Sequence, residues 1–216
     1  MIEKCFLLFP LLVSLFGCYA GTVKPLLSHP DFKAENEPIR TLRIHLITDN
    51  TYKKDKIEKF VSKCSNLIEI QVGIRLEIVD WYQIQWENEL NDISKMEIRI
   101  AAETWSKREQ FDIAVAFVYF VRRVDGTKLQ VGAIDTYFWR YILIKELDPF
   151  VFLHELFHAF LSEKGHSEEW AMRAVRHSYG SEWYWLTPEE RKEVLQNKWR
   201  NFNLSPTRED KDRITR

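Results

Sequence analysis

The sequence is poor in cysteine, has no surplus of positive charge and contains no visible internal repeat. Its 216 residues include 3 Cys, and 31 Lys and Arg stand against 32 Asp and Glu. This balance gives no indication of a nucleic-acid-binding protein, which would need a basic face. Hydrophobic residues make up 45% of the chain and charged residues 29%, a balance typical of one globular domain with appendages.

The N-terminus carries an apolar run over residues 6–16 that follows Lys4 and is too short to span a bilayer. Such a run is typical of an export signal. The segment Leu15-Phe16-Gly17-Cys18 resembles the lipobox of bacterial lipoproteins. That resemblance implies removal of residues 1–17 as a signal peptide and lipidation of Cys18, with palmitate among the attached chains. The protein is then expected to be exported and anchored by Cys18 in a bacterial cell envelope, at the outer membrane or cell surface.

Three further segments follow the signal. Residues 18–39 carry three prolines among polar residues, which predicts a tether. The folded domain is expected over residues 40–202, and the charged tail 203–216 is expected to be disordered. Cys64 cannot form an intramolecular disulfide once Cys5 is removed and Cys18 is lipidated, so it is interpreted as a small core residue.

Hydrophobic periodicity predicts an α+β fold. Strands are expected over 41–47, 74–86, 111–124, 129–134 and 137–144, and helices over 53–70, 92–107, 148–161 and 187–202. Asp125-Gly126 predicts a hairpin turn after which 129–134 would return antiparallel to 111–124. Together these elements predict a mixed, twisted β-sheet with an antiparallel edge hairpin, packed against helices.

The helix that begins near residue 148 contains the candidate site. Asp148 and Pro149 form a typical helix start, and the residues that follow are apolar except for His154, Glu155 and His158. A helix that is apolar on all sides is buried. Unsatisfied polar groups there would cost about 1–3 kcal/mol each, so these three side chains need partners.

One catalytic zinc ion would satisfy them. Residues four apart share a helix face, so both imidazoles can reach the same Zn²⁺. Glu155 projects beside that face, where a carboxylate can act as general base on water at the metal. The sequence therefore predicts His154 and His158 as ligands and Glu155 as the catalytic base.

A catalytic zinc requires a third protein ligand. His166 follows Gly165, a residue suited to turn the chain back after the helix. Glu168 or Glu169 is the alternative ligand, on a helix that Ser167 could cap and that would extend through residue 176. The sequence leaves this choice open.

The segment His154-Glu155-Leu156-Phe157-His158 is the His-Glu-x-x-His signature of zincin metalloproteases, and the order of elements is most similar to the metzincins. Their extended motif has Gly and His where this chain has Leu161 and Lys164. The resemblance implies hydrolysis of peptide bonds in a protein or peptide substrate, which would lie along an edge strand within 129–144. It also suggests Met172 as the methionine of the turn beneath the metal, whereas Glu168 or Glu169 as ligand would imply a gluzincin. A non-catalytic zinc-binding surface lipoprotein is the rival interpretation.

Overall fold

A computed structural model describes residues 38–86, 92–120, 123–124, 128–135, 137–161, 170–172 and 184–204. The elements in chain order are β1 (Arg40–Thr48), α1 (Lys54–Val72), β2 (Ile74–Gln83), α2 (Ile93–Thr104), β3 (Ile113–Phe117), β4 (Arg123–Val124), β5 (Lys128–Leu129), β6 (Gly132–Ile134), β7 (Tyr141–Ile144), α3 (Pro149–His158) and α4 (Pro188–Asn197). Short 3₁₀ turns lie at Trp105–Lys107 and Trp170–Met172. This is the mixed α/β architecture that the sequence predicts.

Five strands form the main sheet in the order β2-β1-β3-β7-β6. The first four are parallel, and β6 runs antiparallel along β7 at the edge. The central strand β3 is buried at all five positions, as expected for a parallel strand with both faces covered.

Two apolar clusters cover the two faces of this sheet. The buried faces of α1 and α3 pack in one cluster with the strand residues Leu42, Ile44 and Leu46. Helix α2 packs on the opposite face in a second cluster with Ile47 and Ala114. Helix α3, which carries the candidate site, contacts α1 and the edge strands β6 and β7.

The helix boundaries follow local signals. Helix α1 ends at Gly73, whose φ of 65° is left-handed and whose N–H donates to the Glu69 carbonyl. Helix α4 begins with the capping box of Thr187 and Glu190. Cys64 is fully buried in the core, as expected, and burial raises the pKa of its thiol. No helix among the described residues combines the length and hydrophobicity needed to cross a bilayer.

The predicted hairpin is confirmed in part, because β4 and β5 pair antiparallel, with Arg123 opposite Leu129. The prediction is wrong for the rest of 129–134, since β6 pairs with β7 and not with residues of 111–124. The turn after β6 explains this pairing, because the Asp135 carboxylate accepts hydrogen bonds from the backbone N–H groups of Tyr137, Phe138, Arg140 and Tyr141. These bonds fold 137–140 as a turn, so the strand predicted from residue 137 begins only at Tyr141.

Candidate metal centre

Helix α3 begins as its sequence predicts. Asp148 is the N-cap and its carboxylate accepts from the Phe150 N–H at 2.9 Å, with Pro149 at the first helical position. All ten residues except Pro149 and Glu155 are buried. The helix ends at His158, earlier than expected, because the N–H groups of Ala159 and Phe160 donate to carbonyls three residues back, those of Leu156 and Phe157.

His154 and His158 point towards one place. Their Nε2 atoms lie 3.2 Å apart, and their ring centroids are 4.7 Å apart with nearly perpendicular planes. The two side chains are 7% and 5% exposed. Two nitrogens bound to one tetrahedral zinc at ~2.0–2.1 Å are separated by about 3.3–3.4 Å. The observed separation therefore fits a shared zinc ion.

The second ring nitrogen of His154 is oriented by a backbone carbonyl. Nδ1 lies 2.9 Å from the Ala171 oxygen. A carbonyl can only accept, so Nδ1 carries the proton and Nε2 of the neutral ring presents its lone pair. Such an outer contact is typical of metal-binding histidines.

The carbonyl of Ala171 is held in turn by the 3₁₀ turn Trp170–Met172. The Ala171 N–H donates to the Trp185 oxygen at 2.9 Å, and this turn packs against α3. Met172 is buried in the same apolar cluster as α3. The structure thus places the candidate Met-turn residue on a turn that contacts the motif helix, and its role beneath a metal stays a prediction.

Glu155 lies on α3 between the two histidines in sequence. Desolvation raises the pKa of its carboxyl to about 8, and the charge of Glu97 on α2 adds to the rise. Beside it lies Gly132 of β6, where a Cβ would come within 2.7 Å of Oε1 of Glu155. The carboxylate is therefore confined between the motif helix and the edge strand.

The proposed third ligands lie outside the described residues. His166, Glu168 and Glu169 belong to the segment 162–169. Cys18, the predicted lipidation site, also lies outside the described residues. Within the described ranges no group of three His, Cys, Asp or Glu side chains is arranged around a common point. The helix predicted through residue 176 is described only at 170–172, where it is a 3₁₀ turn.

Three residues that contact or influence the site were not predicted from the sequence. Ala171 contributes only its backbone carbonyl, and no sequence pattern predicts that contact. Glu97 affects the pKa of Glu155 through its charge, from a helix distant in the sequence. Gly132 carried a usable signal, because an isolated glycine within a strand pattern indicates close approach of another group.

Two solved structures have a similar architecture. Archaemetzincin from Methanopyrus kandleri matches with a TM-score of 0.51 at 11% identity, over 74% of this chain and 97% of that one. Metalloproteinase-II from Bacteroides fragilis matches with a TM-score of 0.47 at 14% identity, over 79% of this chain and 59% of that one. No family model and no curated protein sequence matches the chain. The first likeness shows that the chain shares the fold of that archaemetzincin structure and, at this identity, nothing beyond the fold.

Proposed function

We propose that the protein is a zinc-dependent metallopeptidase of the His-Glu-x-x-His type. The observation that carries the proposal is the 3.2 Å separation of the His154 and His158 Nε2 atoms on a buried helix that also carries Glu155. His154, His158 and a third side chain, His166 in the preferred assignment, would hold one zinc ion. The likeness of the fold to archaemetzincin supports the same conclusion.

A zinc ion at this position would supply Lewis acidity towards the scissile carbonyl and the attacking water. Glu155 accepts the proton from that water on its carboxylate and delivers it to the departing amine. Burial raises the pKa of Glu155, which favours retention of the accepted proton until the amine departs. A cation beside the carboxyl would favour its ionised form, ready to accept.

The geometry of β6 supports an extended peptide as substrate. The Lys145 N–H donates to the Val131 oxygen, and the Asp135 N–H donates to the Tyr141 oxygen. The main-chain groups of Val131 and Asp135 therefore face β7. The main-chain groups of Gly132 and Ile134 therefore point away from the sheet. Strand addition at such an edge is a common mode of peptide recognition, and the Gly132 carbonyl already accepts from the Gln130 side-chain amide at 2.9 Å.

The substitution Glu155→Gln tests the catalytic assignment. Zinc content measured by atomic spectroscopy should stay at one ion per chain, while hydrolysis of a quenched fluorogenic peptide library falls by about 10²–10⁴-fold. Glu109→Gln is the matched control, because its side chain is 78% exposed and should leave both values unchanged.

One outcome would contradict the peptidase function, and another would contradict the role of Glu155. Stoichiometric zinc without hydrolysis of any peptide or denatured protein by the unmodified chain would favour the non-catalytic zinc-binding lipoprotein. Full activity of Glu155→Gln would overturn the role of this side chain.

We also propose that the domain is tethered to a bacterial envelope through Cys18. Expression of the full sequence with radiolabelled palmitate should label the mature chain that begins at Cys18, and Cys18→Ser should abolish labelling and release the protein from the membrane fraction. Cys5→Ser is the matched control because that residue lies within the expected signal. Labelling that survives Cys18→Ser would contradict the anchor.

A further inference from the structure

Gly132 lies where the edge strand passes closest to Glu155. A Cβ at this position would be 2.7 Å from Oε1 of Glu155, 2.8 Å from its Cγ and 2.8 Å from Cγ1 of Val151. Carbon contacts are favourable at about 3.5–4.0 Å, so all three distances are repulsive. Any side chain at 132 would therefore force a neighbour to move.

Of the two neighbours, Glu155 has more freedom to yield. Val151 is β-branched, is buried in the core on α3 and has one strongly preferred rotamer in a helix. Strand β6 is fixed by its ladder with β7. The Glu155 side chain can instead change rotamer about its Cα–Cβ bond, which moves Cγ and Oε1 together, and this rotation would carry its carboxylate away.

We propose that Gly132 is a positioning residue for the general base: its missing side chain leaves the space that the Glu155 carboxylate occupies between α3 and β6. This inference rests on the proposed peptidase function. Gly132 touches no reacting atom through a side chain, and its main-chain N–H and C=O would remain in place in any variant.

The kinetic consequence follows from the short range of proton transfer. A base must come within about 2.6–3.2 Å of the proton it takes, directly or through one water. A displacement of about 1 Å can cost on the order of 10²-fold in rate. Filling the space at 132 should thus reduce kcat far more than it changes metal binding or KM.

The experiment compares Gly132→Ala with Ala133→Gly in the full zinc-loaded chain. Ala133 is the next residue of β6 but packs in the cluster on the α2 face, so its substitution perturbs the strand without filling space at Glu155. Gly132→Ala should lower kcat about 10- to 100-fold, with KM and zinc affinity within about threefold. Ala133→Gly should keep kcat within about threefold.

Two double variants separate positioning from packing. In Gly132→Ala with Val151→Ala the helix contact is relieved and the Glu155 contact is not, so kcat should stay low while the melting temperature recovers. In Gly132→Ala with Glu155→Gln the residual rate should equal that of Glu155→Gln alone. Recovery of kcat in the first, or a full additive loss in the second, would overturn the inference.

The outcomes also distinguish this inference from the proposed function. If Glu155→Gln is inactive and Gly132→Ala is fully active, the peptidase assignment stands and the role of Gly132 is wrong. If the unmodified protein neither binds zinc nor hydrolyses peptides, both fail.

Discussion

The Nε2 atoms of His154 and His158 lie 3.2 Å apart, one helical turn from each other on α3. Both rings are buried, so their nitrogens are largely removed from water. A metal ion that binds them in the folded state alone should stabilise that state by mass action.

Zinc should raise the thermal stability of the chain. At free zinc about 100-fold above its Kd, the free energy of unfolding should rise by ~2.7 kcal/mol. His154→Ala or His158→Ala should abolish the zinc-dependent rise in melting temperature measured by calorimetry. His45→Leu is the control, because this histidine lies on β1, outside α3, and should preserve the rise; an unchanged zinc response in both α3 variants would contradict the site.

The third ligand should be identifiable from zinc affinity. His166→Ala should weaken zinc binding more than ~100-fold, beyond what loss of an outer contact costs. Glu168→Gln and Glu169→Gln should each have little effect, as measured by competition with a chromogenic chelator. A dominant loss from either glutamate variant would instead indicate a gluzincin-type site.

The Asp135 carboxylate should contribute more to the free energy of unfolding than an ordinary surface carboxylate does. Oδ2 accepts from Tyr137 and Phe138, and Oδ1 from Arg140 and Tyr141. Asp135→Asn keeps one accepting oxygen, so two charge-assisted bonds are lost and the free energy of unfolding in urea should fall by about 3 kcal/mol or more. The same turn holds Trp139 at a left-handed φ of 55°, a strained conformation whose cost the Asp135 bonds must offset.

Asp92→Asn is the matched control for that substitution. Asp92 caps α2 by accepting from the Lys95 N–H, and Asn caps a helix about as well as Asp. Asp92→Asn should therefore lower the free energy of unfolding by less than about 0.5 kcal/mol. Equal costs for the two variants would show that the Asp135 bonds contribute little.

His45 should make the fold sensitive to acid. The residue is 1% exposed, and burial lowers the pKa of His45, with an opposing contribution from Asp80 and a smaller lowering one from Lys107. Since the folded pKa lies below the unfolded value near 6.5, the unfolded chain binds more protons in that interval. The free energy of unfolding should therefore fall as pH drops below about 6.5 and level off above it.

The groups around His45 define the check on this pH dependence. The Asp80 carboxylate is 3.5 Å from Nδ1, Lys107 donates to Asp80 at 2.6 Å, and the Phe111 ring lies against the imidazole. Urea titrations at pH 5 and pH 7.5 should differ less in His45→Leu. Lys107→Met should also reduce the difference in unfolding free energy between the two pH values, because it removes a charge that lowers the pKa of His45. If His45→Leu leaves this difference unchanged, His45 is not the source of the acid sensitivity.

Much of the secondary structure could be predicted from local signals. Asp148 and Pro149 begin α3, and Thr187 with Glu190 caps α4, because caps involve residues only a few positions apart. The partner of β6 could not be predicted in this way. Alternation shows that 129–134 is extended, but the choice of β7 over β3 depends on the Asp135 turn, whose bonds form only once the chain has folded back.

The sequence by itself determined that His154 and His158 share one face of a buried helix, because helical geometry is fixed by the backbone and residues four apart must be neighbours. Only the tertiary structure decided that Ala171 orients the His154 ring and that Gly132 confines Glu155. Those contacts join elements that are distant in the chain. Their distances depend on how α3 packs against β6 and the 3₁₀ turn, which spacing along the sequence does not encode.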